Sequence, residues 1–240
     1  MVERGLCESR EKAKRAILAG EVRVNEQLAR KPSDTVGHED KIVLATPEKY
    51  VSRGGFKLEH ALEHFHVDVT GLLAVDLGAS TGGFTDCLLQ RGAARVYAVD
   101  VGQGQLAWKL RRDKRVVVME KTNARELTPA KFPSPFTPLD LVVIDCSFIS
   151  LRKILSAAVA LLRPSGKIVA LIKPQFEAGK READRGEGVI RDAAVHERVL
   201  RELEAFVATQ AELRWAGVTE SPLVGPAGNK EFLTLIEKLG

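Results

Sequence analysis

From residue 72 onward the chain alternates short aliphatic runs with amphipathic stretches. Leu72–Val75, Val96–Val99, Arg115–Met119, Leu139–Ile144 and Gly166–Ile172 are dominated by Val, Ile and Leu and lack polar alternation. Runs of this kind belong to strands buried on both faces, so they predict a parallel sheet covered by helices. Phe84–Gln90 reads as a helix after the first run, and Arg214–Val218 and Phe232–Ile236 read as a closing hairpin across a Pro/Gly-rich loop. Before residue 50 the pattern differs. Ser9 is placed to cap a helix through Ala13, Ala16 and Ile17 that Gly20 ends, and Val22–Val24, a turn at Asn25–Gln27 and Lys41–Leu44 add strand segments. The expected organisation is a small α+β unit over 1–46, a linker at 47–52 around Pro47, and an α/β domain over 53–240.

Composition narrows this only slightly. The 240 residues accommodate one medium α/β domain plus an appendage. Hydrophobic residues make up 45% and aromatic ones 5%, so the core must be aliphatic. A formal charge of +4 and a pI near 9.0 lean toward a polyanionic partner. No apolar run is long enough to span a bilayer and no signal peptide precedes Cys7, so a cytoplasmic protein without stable membrane association is expected. Cys7, Cys87 and Cys146 are odd in number and unevenly spaced, which suits reduced thiols.

The chemistry concentrates in Val75-Asp-Leu-Gly-Ala-Ser-Thr-Gly-Gly-Phe-Thr85. There an apolar run breaks into a turn bearing Gly78, Gly82 and Gly83, and a helix opens at Phe84, so backbone N–H groups can approach a ligand closely. The next strand ends in Asp100, placed to take both hydroxyls of a ribose. A P-loop is excluded because no Gly-Lys-Ser/Thr follows, and the spacing from Gly78 to Gly82 is too long for a dinucleotide fingerprint. Residues beyond the carboxyl ends of parallel strands share one crevice, so Asp76, Asp100, Asp145 and Lys173 should converge, with Asn123 able to reach an adenine. Lys57 opposes the dipole of the helix it opens, a local misfit that marks it as a candidate functional lysine. His60, Glu63 and His64 fit a zinc-protease pattern, but no later helix supplies a third ligand, and no metal is expected. Arg10 and Lys14 lie four apart on the first helix, with Lys12, Arg15 and Arg23 nearby.

Asp76-Leu-Gly-Ala-Ser-Thr-Gly-Gly-Phe84 resembles the loop of S-adenosylmethionine-dependent methyltransferases. Residues 4–25, followed by Lys31-Pro-Ser33, are similar to the S4-type RNA-binding domain, whose basic helix faces structured RNA. That likeness implies RNA contacts from Arg4, Arg10, Lys12, Lys14, Arg15 and Arg23, and a first helix shorter than usual before Arg4. With Val51-Ser-Arg-Gly-Gly-Phe-Lys57, Asp145-Cys-Ser-Phe148, Lys173-Pro-Gln-Phe-Glu177 and Gly228-Asn-Lys-Glu231, the whole chain resembles the hemolysin A (TlyA) family of ribosomal RNA methyltransferases. Its catalytic part is similar to the FtsJ-like ribose 2′-O-methyltransferases. The resemblance implies a seven-stranded Rossmann-like sheet and a tetrad of Lys57, Asp145, Lys173 and Glu231. It also implies S-adenosylmethionine bound by Asp76, Gly78, Ser80, Gly82, Gly83, Phe84, Asp100, Asn123 and Asp145, with a cytidine 2′-hydroxyl of ribosomal RNA or a ribosomal subunit as acceptor.

On this reading Lys173 takes the hydroxyl proton, Asp145 and Glu231 hold the lysines, and Lys57 steadies the ribose. Alignment of hydroxyl and methyl carbon supplies much of the rate. Two other classes compete. A membrane-active hemolysin would need an export signal, an apolar hairpin or a strongly basic amphipathic helix, none of which the sequence displays. An RNA-binding protein with a vestigial methyltransferase domain would have no need of an intact set of charged strand ends.

Overall fold

The computed structural model describes residues 1–18, 20–29, 31–44, 49–179, 182, 186 and 188–240. It contains two compact units, Met1–Lys49 and Tyr50–Gly240. Residues 47 and 48 of the expected linker lie outside the described residues.

In the smaller unit α1 (Arg10–Leu18) begins where Ser9 Oγ accepts from the Lys12 N–H at 3.2 Å, an N-cap. It ends at Gly20, whose φ of +76° suits glycine. Ala13 and Ala16 form its buried side. The strand β1 (Val22–Val24) pairs antiparallel with β2 (Gln27–Leu28) and β3 (Ile42–Leu44). Asn25 and Glu26, both at positive φ, make the tight turn of the β1–β2 hairpin. Sequence pattern does not reveal β2, because so short a strand carries no periodicity.

The larger unit is a seven-stranded sheet of β4 (Leu73–Leu77), β5 (Arg95–Val99), β6 (Val116–Met119), β7 (Leu139–Ile144), β8 (Leu162–Ile172), β9 (Leu213–Glu220) and β10 (Phe232–Lys238). Among the described residues its α-helices are α2 (Gly54–His64), α3 (Gly83–Gln90), α4 (Trp108–Arg111), α5 (Leu155–Leu161), α6 (Pro174–Glu177) and α7 (Ala193–Ala208). The strand order is β6-β5-β4-β7-β8-β10-β9, parallel from β6 to β8, with β10 antiparallel to both neighbours. Chain direction through the sheet reverses between β4 and β7, which opens a crevice at their carboxyl ends.

Each central strand feeds two cores. Val75, Leu77, Val142, Ile144 and Ile168 pack with Leu155 and Ala158 of α5 and Val199 and Leu203 of α7. Ala74, Val96, Leu141, Val143 and Val169 pack with Leu58 and Leu62 of α2 and Leu88 of α3. Burial on both faces is the reason these strands read as mostly aliphatic runs.

That alternation corrects one expectation. Asp76 does not sit past its strand: β4 continues to Leu77, and Asp76 is fully buried within it. It lies between Val75 and Leu77, which enter the first core, so its side chain points to the α3 side. The strand expected from Gly166 also begins earlier, at Leu162, through an irregularity in its pairing with β7. Among the described residues no helix is long and apolar enough to cross a membrane.

Candidate active site

The loop between β4 and α3 is shaped by its glycines. Gly78 and Gly82 have φ of +87° and +97°. A Cβ on Gly78 would lie 2.6 Å from the Asp145 carbonyl oxygen, and one on Gly83 would lie 2.3 Å from Ser52 Oγ. The start of α2 therefore presses directly on the start of α3. Asp86 of α3 fixes this approach, its Oδ2 accepting from the Val51 N–H at 2.9 Å. Between these elements opens a cavity of about 220 Å³ lined by Ser52, Lys57, Asp76, Gly78, Gly83 and Asp145, with Ser80 and Phe84 also on its wall.

Asp76 is the buried acid of this cavity. Its Oδ2 accepts from the Thr85 N–H at 2.9 Å and the Thr85 hydroxyl at 2.7 Å, while Oδ1 is buried with no donor among the described residues. Burial pushes the carboxyl up from 3.8 to about 7; the Thr85 hydrogen bonds pull it down, and the negative charges of Asp145 and Asp100 push it further up. With the folded value raised, the native state retains a proton that the unfolded chain has released above pH 3.8. Stability should therefore fall as pH rises from about 4 to about 7. Asp76→Asn should flatten this slope in urea titrations run across that range; an unchanged slope would mean that Asp76 is ionised throughout.

Two ion pairs complete the site. Lys57, one turn into α2, pairs with Glu231, and both are buried. Glu231 reaches it because the Ser221 N–H donates to the Glu231 carbonyl at 2.9 Å, closing the 221–231 loop. Gly225 leaves room for the carboxylate, since a Cβ there would lie 2.6 Å from Glu231 Oε1. Beyond β8, Lys173 Nζ lies 2.6 Å from Asp145 Oδ1 and donates to Ser147 Oγ at 2.8 Å. The contact with Oδ1 is a charge pair without hydrogen-bond alignment, the aligned N–H being directed at Ser147. Lys57 and Asp145 line the cavity, whereas Lys173 and Glu231 stand outside its wall as their partners.

Other candidates are placed differently. Asp100 follows β5 as expected, but both oxygens already brace the loop, accepting from Ser80 N–H at 2.8 Å and Gly102 N–H at 2.7 Å. Asn123 turns onto its own segment: Oδ1 accepts from Arg125 N–H at 3.1 Å and Nδ2 donates to Glu126 at 3.2 Å. It lies off the cavity wall. His60 is within 3.2 Å of Thr219 Oγ1 and its ring stacks on that of His64 with centroids 6.0 Å apart, while Glu63 pairs with Arg91. Ser52, Thr85 and Ser147 escape a sequence reading because only folding brings each to its partner. Glu177 does likewise, holding the 145–151 loop by accepting from Ser150 Oγ and Leu151 N–H, each at 2.6 Å.

In the smaller unit Arg4 donates to the carbonyls of Gly37 at 2.7 Å and His38 at 3.2 Å, and also to that of Asp40. Lys12 pairs with Glu8, and Arg23 donates to the Glu26 carbonyl at 2.9 Å. Arg10, Lys14 and Arg15 are exposed and carry no ion pair among the described residues. Arg10 and Lys14 edge a groove of about 940 Å³ within this unit.

Residues 50–238 match the FtsJ-like methyltransferase family, and residues 1–42 match the S4 domain. The 16S/23S rRNA (cytidine-2′-O)-methyltransferase TlyA of Mycobacterium tuberculosis is 47% identical over 236 residues, which cover 97% of this chain and 85% of that protein. Hemolysin A of Brachyspira hyodysenteriae is 41% identical, covering 95% and 94%. A solved structure from Streptococcus thermophilus has a TM-score of 0.77 at 45% identity, covering 98% of this chain and 84% of that one. With this match over nearly its whole length, the chain, which carries an S4 domain and is similar to TlyA and hemolysin A, belongs to the FtsJ-like methyltransferase family.

Proposed function

We propose that the protein transfers a methyl group from S-adenosylmethionine to the ribose 2′-hydroxyl of a cytidine in ribosomal RNA. The observation that carries this reading is the pair of held lysines, Lys57 with Glu231 and Lys173 with Asp145, at the crevice where the sheet order reverses. Ribose methylation needs little from an enzyme beyond aligning a reluctant hydroxyl and receiving its proton. When bound, the cofactor supplies a methyl group already activated by sulfonium charge.

The cavity fits that cofactor. Its glycine wall admits backbone contact, and the donor-free Oδ1 of Asp76 offers a buried acceptor to a cationic amino group. At about 220 Å³ the cavity would hold the amino-acid end of the cofactor, and Asp100 would hold its ribose. In the proposed reaction Lys57 donates to the ribose, Lys173 serves as acceptor of the hydroxyl proton, and Asp145 holds the ammonium that results. Arg10, Lys14 and Arg15 of the S4 unit are free to meet RNA phosphates.

Methyl transfer from labelled cofactor to isolated ribosomal subunits, followed by mapping of 2′-O-methyl positions, tests the proposal; label on a base, or on protein alone, would overturn it. Asp100→Ala should weaken cofactor binding more than tenfold by calorimetry, since charge-assisted hydrogen bonds to the ribose contribute about 1.5 to 3 kcal/mol. The freed N–H groups of Ser80 and Gly102 loosen the loop in the same direction. Unaltered affinity would place the ribose elsewhere.

A further inference from the structure

We propose that Trp108 is a stacking platform for an unpaired base of the substrate RNA, flanked by Arg112 and Lys114 as phosphate contacts. The inference rests on the RNA-methyltransferase reading above. Trp108 is 71% exposed, in a chain that has only two tryptophans. Nothing about its helix is loose. Leu106 and Leu110 are buried against Gly82, where a Cβ would lie 2.8 Å and 2.2 Å from their methyl carbons. The Ala107 N–H donates to the Thr81 carbonyl at 3.1 Å. Lys109 pairs with Asp86 at 2.9 Å, and Arg111 pairs with Glu120 while donating to the Leu106 carbonyl at 3.0 Å.

Leu106, Ala107 and Leu110 are thus anchored on the glycine loop, and Lys109 and Arg111 are tied to Asp86 and Glu120, while the indole faces out without such a partner. An aromatic ring on so fixed a support gives up little conformational freedom when a ligand stacks on it. The charge around it selects the ligand. From Trp108 to Arg115 the sequence is Trp-Lys-Leu-Arg-Arg-Asp-Lys-Arg, with Asp113 its one acid, and that acid is held by Arg115. Arg112 and Lys114 are exposed and carry no ion pair among the described residues. Single-stranded RNA offers both complements, a π-face for the indole and phosphates for the cations.

The indole reports on itself. Trp215→Phe leaves Trp108 as the remaining fluorophore of the two. Its emission should be quenched by an oligocytidylate of about eight nucleotides but not by an abasic ribose-phosphate chain of equal length. Should Trp215→Phe fail to fold, the difference in emission between the wild type and Trp108→Phe carries the same signal. Trp108→Ala should raise the dissociation constant for an rRNA fragment by about 5- to 100-fold, Trp108→Phe should stay near wild type, and cofactor affinity should be unchanged in both. RNA affinity unaffected by Trp108→Ala would overturn the platform alone. Quenching by S-adenosylmethionine without RNA would instead put the indole over the cofactor, and also overturn it. Failure of the wild type to bind any ribosomal RNA would refute the RNA reading itself.

Discussion

Lys173→Ala should lower methyl transfer by about 10² to 10⁴, the usual share of general-base catalysis, while fold and cofactor affinity stay nearly intact. The side chain stands outside the cavity wall, so its removal leaves the proposed cofactor surface in place. Asp145, which it pairs with, is partly open to water and can be hydrated once the ammonium is gone. Lys173→Arg supplies the decisive contrast. A guanidinium keeps the positive charge beside Asp145 but cannot give up its proton in the working pH range, so this variant should be nearly as inactive. Single-turnover transfer at saturating cofactor and RNA separates the two roles. Substantial activity in the arginine variant would leave Lys173 an orienting cation and send the proton elsewhere.

The second large effect falls on stability. Lys57 and Glu231 are both buried, so removing either one strands an uncompensated charge. Lys57→Met or Glu231→Leu alone should cost about 3 to 5 kcal/mol. For a domain of this size that lowers the melting temperature by roughly 6 to 20 °C. The double variant Lys57→Met/Glu231→Leu should recover most of the loss, because matched apolar side chains replace a buried ion pair at little net penalty. It should nevertheless transfer no methyl group, since Lys57 is the proposed ribose donor. Calorimetric melting of the three variants checks the first point and transfer assays the second. If the double variant melts no higher than the singles, the pair is not coupled as the geometry implies.

Much of the fold was legible along the chain. Strands buried on both faces are mostly aliphatic, and that tendency appears in Val96–Val99 and Leu139–Ile144 without any tertiary information. Glycines at Gly78 and Gly82 marked a turn because only that residue takes such positive φ without strain. Ser9 and Gly20 bounded α1 for equally local reasons.

What the sequence did not convey shares a cause. A charge after an apolar run looks like a strand end, yet Asp76 is held inside β4 by Thr85, a residue on the helix that packs over it. Asn123 looked free for a ligand, but a short polar side chain readily caps its own turn. Arg4 read as an RNA contact, and it is the carbonyls of residues 37 to 40, distant in sequence, that claim its guanidinium.

The sequence by itself determined which segments could be buried and where the backbone could turn, because hydrophobic transfer and φ preference act residue by residue. Only the tertiary structure decided which charges meet. Lys57 and Glu231 are 174 positions apart, and Asp145 and Lys173 stand at the ends of neighbouring strands. Electrostatic pairing depends on distance in space and on burial, and neither exists until the sheet order brings those ends together.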